Sequence, residues 1–238
     1  MELILIVAAI LPAAFLMWRV YQADRLEKEP WSLLRSLLIL GVAATALASF
    51  AEQLGDILLS WFVPEDSLPY NIIMYFLIVA VSEEGFKYLL MKSRTWNSPH
   101  FNCSFDGVVY AVFISLGFAI WENIAYVLSY GLATAVARAL TAVPGHACFG
   151  VFMGTWYGIA KRYEEAGLLQ EAARSRRTGL LVAVLLHGTY DFIAAMQTEA
   201  MSLVFVVFVL SMFITAVRLV RRHAGSDSYI GGGTDMEI

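Results

Sequence analysis

The sequence predicts an all-α membrane protein, a polytopic bundle of seven transmembrane helices with its N-terminus outside and its C-terminus in the cytoplasm. Three observations support this prediction. Hydrophobic residues make up 59% of the 238 residues and charged residues only 15%, whereas soluble domains are usually about half apolar and about a quarter charged. Seven stretches approach the roughly 20 apolar residues that a spanning helix needs. The basic residues fall almost entirely in alternate connections.

The seven predicted spans are separated by polar segments or tight turns. They cover residues 3–21, 33–52, 70–91, 107–129, 136–159, 178–197 and 200–219. The first has neither the basic start nor the A-x-A site of a cleavable signal peptide, so we expect it to be retained. Residues 1–222 are predicted to form one membrane-embedded domain. The Gly- and Ser-rich residues 223–238 are predicted to be a disordered cytoplasmic tail.

The orientation follows from the placement of Lys and Arg. All but two of the 16 basic residues lie in, or within three residues of, the first, third and fifth connections or the end of the last span. The exceptions are Lys87 and Arg138. The second and sixth connections contain no basic residue. Because cytoplasmic loops carry the excess of positive charge, the connections rich in Lys and Arg are predicted to be cytoplasmic.

Charge and cysteine content exclude several classes of function. The formal net charge is −4, and no basic stripe of the kind that nucleic acid requires is present. Cys103 and Cys148 lie in different segments and form no CxxC motif. Both are therefore predicted to be reduced and apolar in character rather than a disulfide or a metal pair.

Ionisable residues inside the predicted third span need an explanation. Each charged group in the hydrocarbon core costs at least about 2.5–3.5 kcal/mol. Glu83 and Lys87 are four residues apart on one helix face and can pair, whereas Glu84 points about 100° away. One interpretation is that the pair is structural, but this leaves Glu84 unexplained. Adjacent carboxylates suit general acid–base chemistry, so we predict that Glu83 and Glu84 are catalytic.

The fourth and fifth spans carry further polar residues. Glu122 and Asn123 lie deep in the fourth span, where Glu122 is a candidate catalytic residue or a structural partner of another helix. Asp106 is predicted to cap the N-terminus of this helix. In the fifth span Pro144 is expected to produce a kink, and His146 is either a core residue or part of the site. Glycines at positions 150, 154 and 158 form a ridge suited to close helix packing.

The sixth span contains His187 and Asp191, four residues apart and hence on one face. The carboxylate can hold the imidazole in one tautomer; a purely structural bond and metal ligation are the alternatives. With a rise of 1.5 Å per residue, Glu83, His146 and His187 all lie near the middle of a core about 30 Å thick. The sequence therefore predicts one buried polar site shared by four helices.

Several motifs, in this order along the chain, resemble those of the PrsW family of bacterial intramembrane proteases, which is related to the CAAX prenyl endopeptidases. The resemblance extends from DRLEKEP at residues 24–30 to Asp191. It rests on SEEGFK, FDGVVYA, SLGFAIWENIAY, the segment from Arg138 to His146, and LLHGTYDF.

The resemblance implies a multi-pass protein of the bacterial cell membrane. Its implied activity is site-one cleavage of a single-span anti-sigma factor, on the extracytoplasmic side, in response to envelope stress. Glu83 and Glu84 match the paired glutamates of the family, and His187 with Asp191 matches its HxxxD motif. The wider superfamily often has FxxxH in its second motif. Here Phe118 is followed four residues later by Glu122 instead.

Together these features predict non-covalent hydrolysis, in which Glu83 or Glu84, helped by His187, activates a water molecule. Asp191 would orient His187, and His146 or Asn123 would polarise the developing oxyanion.

No cofactor is expected. The enzymatic alternative is a zinc protease with Glu84, His146, His187 and Asp191 as ligands, although no HExxH motif is present. A transporter or proton relay built on the buried carboxylates and histidines is a further alternative.

Overall fold

The computed structural model describes residues 2–65, 67–196 and 198–231. Within these ranges the chain is almost entirely helical, with one isolated β-bridge between Cys103 and Tyr229 and no strand. The predicted all-α class is therefore confirmed. In chain order, the helices are α1 (Glu2–Ala23), α2 (Trp31–Ser60), α3 (Leu68–Ile72), the π-helix π1 (Ile73–Val79), α4 (Ala80–Thr95), α5 (Asp106–Tyr130), α6 (Leu132–Leu140), α7 (Ala142–Glu165), α8 (Leu169–Ala195) and α9 (Glu199–Gly225).

Six helical stretches in the described part of the chain are long and apolar enough to cross a membrane: α1, α2, α5, α6 with α7, α8 and α9. The third predicted span falls instead on α3, π1 and α4, which follow one another without a gap from Leu68 to Thr95. Within the described residues, each of the seven predicted spans thus falls mainly on helix. Large apolar side chains such as Leu3, Phe50 and Leu203 point outwards, as expected of surfaces that face lipid. The orientation across the membrane stays a prediction.

Helix α5 lies at the centre of the bundle, and every residue from Asp106 to Ala119 is buried. Glycines allow its neighbours to reach its backbone. A Cβ atom added at Gly150 of α7 would lie 2.8 Å from the carbonyl oxygen of Ala111, and one added at Gly117 would lie 2.9 Å from the Cα atom of Leu38 on α2. The predicted glycine ridge on α7 therefore does pack closely, and it holds α5 and α7 together.

The fifth predicted span is broken rather than kinked. Helix α6 ends at Leu140, Thr141 has φ −124° and ψ −70°, and α7 begins at Ala142. Pro144 is the third residue of α7. The first turn of a helix has free N–H groups, so a proline there costs no hydrogen bond. The break places the start of α7, and with it His146, inside the bundle.

The segment after α9 packs against the connection between α4 and α5. Helix α9 continues to Gly225, beyond the predicted start of disorder at residue 223. The amide of Ile230 donates to the carbonyl of Asn102 at 2.7 Å, and the amide of Phe105 donates to Asp227 Oδ1 at 2.9 Å. Residues 232–238 of the predicted tail lie outside the described ranges. Cys103 and Cys148 are free and buried, as predicted.

Candidate active site

Lys87 lies at the centre of a buried cluster of charged side chains. Its Nζ atom donates to Glu83 Oε2 at 3.0 Å and to Glu84 Oε1 at 2.8 Å, and it lies 3.3 Å from His146 Nδ1. Lys87 and Glu84 are fully buried, and Glu83 is 6% exposed. Because an isolated charge is very costly in such surroundings, the ammonium and the two carboxylates must stabilise one another.

The helical spacing explains how one lysine reaches both glutamates. Residues three and four positions apart lie on neighbouring parts of the same helix face. The predicted pair of Lys87 with Glu83 is confirmed, whereas the expectation that Glu84 points away from Lys87 is wrong. The long lysine side chain lies between the two carboxylates and contacts Glu84 at the shorter distance. The two glutamates therefore belong to one site.

His187 of α8 contacts the same carboxylates from the opposite side. Its Nδ1 atom lies 2.9 Å from Glu84 Oε1. Its Nε2 atom lies 3.3 Å from Asp191 Oδ2 and 3.8 Å from Glu83 Oε2. The imidazole is 4% exposed, whereas the Asp191 side chain is 23% exposed. The contact between His187 and Asp191 fixes the orientation of the ring, and Asp191 marks the more open side of the cluster.

A second chain of polar contacts continues from His146 into α5 and α6. His146 Nε2 lies 2.9 Å from Glu122 Oε2, which also accepts from Arg138 Nη2 at 2.9 Å. The Nε atom of Arg138 donates to Asn123 Oδ1 at 2.9 Å, and Asn123 Nδ2 donates to the carbonyl of Ala9 at 2.9 Å. Both ends of the Asn123 amide are thus bonded within the protein. The chain ties α1, α5, α6 and α7 to the cluster around Lys87.

Aromatic rings enclose the charged groups. The ammonium of Lys87 lies 3.9 Å from the ring centroid of Phe118, a distance at which a cation is attracted to the face of the ring. Phe149 stacks on His187 with centroids 4.7 Å apart and an angle of 18° between the planes. The rings of His146 and His187 meet edge to face at 5.5 Å. These contacts fix the two imidazoles and exclude bulk water.

Asp106 lies far from this cluster and does not cap its own helix as predicted. It is the first residue of α5, about 24 Å along the helix axis from Glu122 at 1.5 Å per residue. Its Oδ2 atom accepts from the amides of Asn102 and Cys103 at 3.1 and 2.7 Å. Because Asp106 already lies within the helix, its side chain reaches back to the preceding turn. It therefore stabilises the connection between α4 and α5.

Two residues that the structure brings to the site were not among the predicted site residues. Arg138 was noted as a basic residue outside the cytoplasmic connections and as the start of a segment in the family resemblance, and its isolation among the basic residues was the available signal for its role. Glu52 of α2 is close enough to interact electrostatically with Glu122 and Lys87, and its Oε1 atom is buried with no hydrogen-bond partner among the residues that the structure describes. It lies at the end of the second predicted span, where an acidic residue does not stand out.

A possible metal site overlaps the same cluster. Glu83, Glu84 and His146 each offer one donor atom, all within 4.8 Å of one another, and zinc accepts carboxylate and imidazole ligands. However, Lys87 Nζ contacts each of these three side chains. The residues therefore do not fit an ion while Lys87 keeps this position. In the described chain this compact group contains neither His187 nor Asp191, although both were in the predicted ligand set.

Comparisons with known proteins agree on one family. The family model described as "PrsW family intramembrane metalloprotease" matches residues 29–217. A protein named Protease PrsW from Geobacillus kaustophilus is 31% identical over 93% of this chain and 92% of its own length. Proteins of the same name from Clostridioides difficile and Bacillus subtilis are 29% and 31% identical, covering 90% and 79% of this chain and 88% and 82% of their own lengths. No solved structure matches.

Proposed function

The chain belongs to the PrsW family of intramembrane proteases, and we propose that it hydrolyses a peptide bond with a water molecule activated by Glu83 and His187. The observation that carries this proposal is the separation of 3.8 Å between Glu83 Oε2 and His187 Nε2. A gap of this size is too long for a direct hydrogen bond but can be bridged by one water molecule. Glu83 is also the less deeply buried of the two glutamates.

The four steps of the reaction follow from these contacts. Glu83 accepts a proton from the water molecule, and the water oxygen forms a bond to the carbonyl carbon of the substrate. His187, oriented by Asp191, holds this water molecule beside Glu83 through its Nε2 atom. The carbon–nitrogen bond then breaks, and the proton held by Glu83 passes to the leaving amine. No covalent bond forms between enzyme and substrate.

The remaining side chains are assigned positioning roles. Glu84 accepts from Lys87 and lies against His187 Nδ1, so it fixes both groups. With Lys87 donating to His146 Nδ1, His146 Nε2 carries the hydrogen and donates to Glu122. Both nitrogens of His146 are then engaged, as is the Asn123 amide. This supports a positioning role for both residues rather than the oxyanion role suggested by the sequence.

A single-span anti-sigma factor remains the proposed substrate, cleaved on its extracytoplasmic side. The bundle offers one charged cluster enclosed by apolar helices, which suits a single transmembrane segment presented from lipid. The relatives are named proteases, and nothing in the geometry favours the transporter or proton relay considered earlier.

The test is cleavage of candidate anti-sigma factors co-expressed with Glu83→Gln, Glu84→Gln and His187→Asn variants. Loss of a general base typically costs 10²–10⁴-fold, so about that loss is expected for Glu83→Gln. Glu164→Gln, which changes the same group outside the site, is the control and should cleave normally. If Glu83→Gln cleaves as fast as wild type, Glu83 is not the base. If no anti-sigma factor is cut while another single-span protein is, the substrate proposal fails and the mechanism stands.

A metal-dependent mechanism is the second candidate, because the matching family is described as a metalloprotease and Glu83, Glu84 and His146 lie close together. In that case Lys87 would have to leave the centre of the group. Metal analysis of purified enzyme, followed by an activity assay after chelation, separates the candidates. Loss of activity on chelation, restored by added zinc, would replace the water-only mechanism.

A further inference from the structure

An apolar groove runs along the side of the bundle between α1, α7 and α9. It encloses a cavity of about 360 Å³. Small side chains on the facing helices leave this space unfilled, among them Ala147 and Cys148 on α7 and Ala216 on α9. The part of α1 that lines it, from Phe15 to Ala23, is about 12 Å long at 1.5 Å per residue. That is most of the roughly 15 Å hydrocarbon thickness of one leaflet.

Arginines lie at the predicted cytoplasmic end of this groove. Arg19 and Arg221 line the groove itself, and together with Arg25 they line an adjoining cavity of about 310 Å³. Neither cavity has a carboxylate in its wall. Within residues 2–65, 67–196 and 198–231, none of the three arginines forms an ion pair, unlike Arg138 and Arg176. Three cations therefore lie around one space, and the lining residues that the structure describes include no anion to balance them.

We propose that this groove is a binding site for an anionic phospholipid. The phosphate group would lie among Arg19, Arg25 and Arg221, and an acyl chain would fill the apolar groove below. Guanidinium groups bind phosphate with paired hydrogen bonds, and basic pockets between transmembrane helices on the cytoplasmic side suit anionic head groups. The lipid would complete the contact of α1 and α9 with α7.

The site adjoins the catalytic cluster through α7. Ala147, in the wall of the groove, directly follows His146. An acyl chain against Ala147 and Val151 therefore supports the helix that carries this histidine. Helix α1 also accepts a hydrogen bond from Asn123 through the carbonyl of Ala9. Loss of the lipid is therefore expected to loosen both the groove and the polar contacts that link His146 to α1.

The test compares wild type with an Arg19→Gln/Arg221→Gln variant, purified in detergent and titrated with phosphatidylglycerol. Bound lipid is counted by native mass spectrometry, and the midpoint of thermal unfolding is measured at each lipid concentration. An arginine near the membrane surface contributes about fivefold to affinity for anionic lipid, so the double variant should need at least about 20-fold more lipid. Phosphatidylcholine and inorganic phosphate should have little effect on either protein.

Arg174→Gln/Arg177→Gln is the matched control. These arginines also lie on the predicted cytoplasmic side and line a cavity of about 400 Å³, but neither of them lines the groove between α1, α7 and α9. The control should bind phosphatidylglycerol as wild type does. An Ala216→Phe variant, which fills the groove and keeps the arginines, should bind it as weakly as the Arg19 and Arg221 double variant.

Several results would overturn the proposal. An equal response to phosphatidylcholine would mean nonspecific solvation, and an equal response to inorganic phosphate would mean an anion site without a lipid chain. If the control loses as much affinity as the double variant, only the overall positive charge matters. If an apolar transmembrane peptide displaces phosphatidylglycerol and binds more tightly, the groove is a site for a protein segment. Should the double variant fail to fold, Arg25→Gln alone must still weaken binding about fivefold.

Discussion

Replacement of Lys87 by Met tests whether its ammonium holds the candidate site together. The change keeps the length and the apolar stem of the side chain but leaves Glu83 and Glu84 without their common cation, which contacts them at 3.0 and 2.8 Å. Removal of one partner from a buried ion pair costs about 3–5 kcal/mol, because the other charge is left uncompensated. With two carboxylates affected, we expect a loss of at least about 3 kcal/mol. For a chain of this size that corresponds to roughly 6–12 °C in Tm.

Lys161→Met provides the matched control. Lys161 also contacts two glutamates, Glu164 and Glu165, but at 3.3 Å each, and their side chains are 28% and 49% exposed. Ion pairs with carboxylates this open to water contribute only about 0–1 kcal/mol, even though the Lys161 side chain itself is 10% exposed. The control variant should therefore unfold within about 2–4 °C of wild type. The contrast separates the loss of a buried cation from the loss of any lysine.

The assay is thermal unfolding in detergent or nanodiscs, followed by the fluorescence of the six tryptophans. Adding Glu83→Gln and Glu84→Gln to Lys87→Met removes the uncompensated charges, so the triple variant should recover most of the lost stability. The reasoning is refuted if Lys87→Met is as stable as Lys161→Met, or if the triple variant is no more stable than Lys87→Met alone.

The remaining predictions concern helix packing, the pH dependence of stability, and the polar contacts of Asn123. A Gly150→Leu variant should lose several kcal/mol of stability, because even a Cβ atom there would lie 2.8 Å from a backbone oxygen of α5; a normal unfolding temperature would contradict the close packing. Burial raises the pKa of Asp24 to about 6 and that of Glu29 to about 7, so the folded state holds these protons more tightly than the unfolded state. Their contribution to stability is complete below about pH 4 and is lost as the pH rises to about 7. Asp24→Asn should therefore match wild type near pH 4 and be more stable at pH 8, and an equal gain at both values would exclude this cause. Asn123→Leu leaves Arg138 Nε and the carbonyl of Ala9 without partners, so it should lower stability by about 1–3 kcal/mol and lower kcat more than it changes KM; unchanged kinetics would exclude a positioning role.

The arrangement of helices was largely predictable from the sequence. Long apolar stretches have few alternatives to spanning helices, so the positions of the helices along the chain follow from them. The segment from Ile73 to Val79 was predicted as ordinary helix, because its uniformly apolar residues carry no signal for an i to i+5 hydrogen-bond pattern. The break at Thr141 was predicted only approximately, since the expectation was attached to Pro144 rather than to the start of a new helix.

Most members of the candidate site were also predictable, because ionisable groups inside apolar spans are costly and few in number. The contacts between the side chains of the site were less predictable. Glu84 was placed on another face than Glu83 because successive residues of a helix differ by about 100° around its axis. The long side chain of Lys87 nevertheless reaches both carboxylates. Glu122 could not be joined to Arg138 from the sequence, since their contact depends on how α6 folds back against α5. The fourth span was predicted to begin at residue 107, whereas α5 begins at Asp106, so the predicted cap lies inside the helix.

The π-helix has a consequence for how the length of the chain can vary. A π turn contains one residue more than the α turn that it replaces. Deletion of a single residue between Ile73 and Val79 would therefore be absorbed by return to regular α-helix, with Leu68–Ile72 kept on nearly the same side of α4. Deletion of Gly85, which lies in regular α-helix, would instead leave Glu84 and Lys87 two residues apart and on different helix faces. Tolerance to single-residue deletions should thus change abruptly within one continuous span, and a deletion scan along residues 68–95 would locate the boundary.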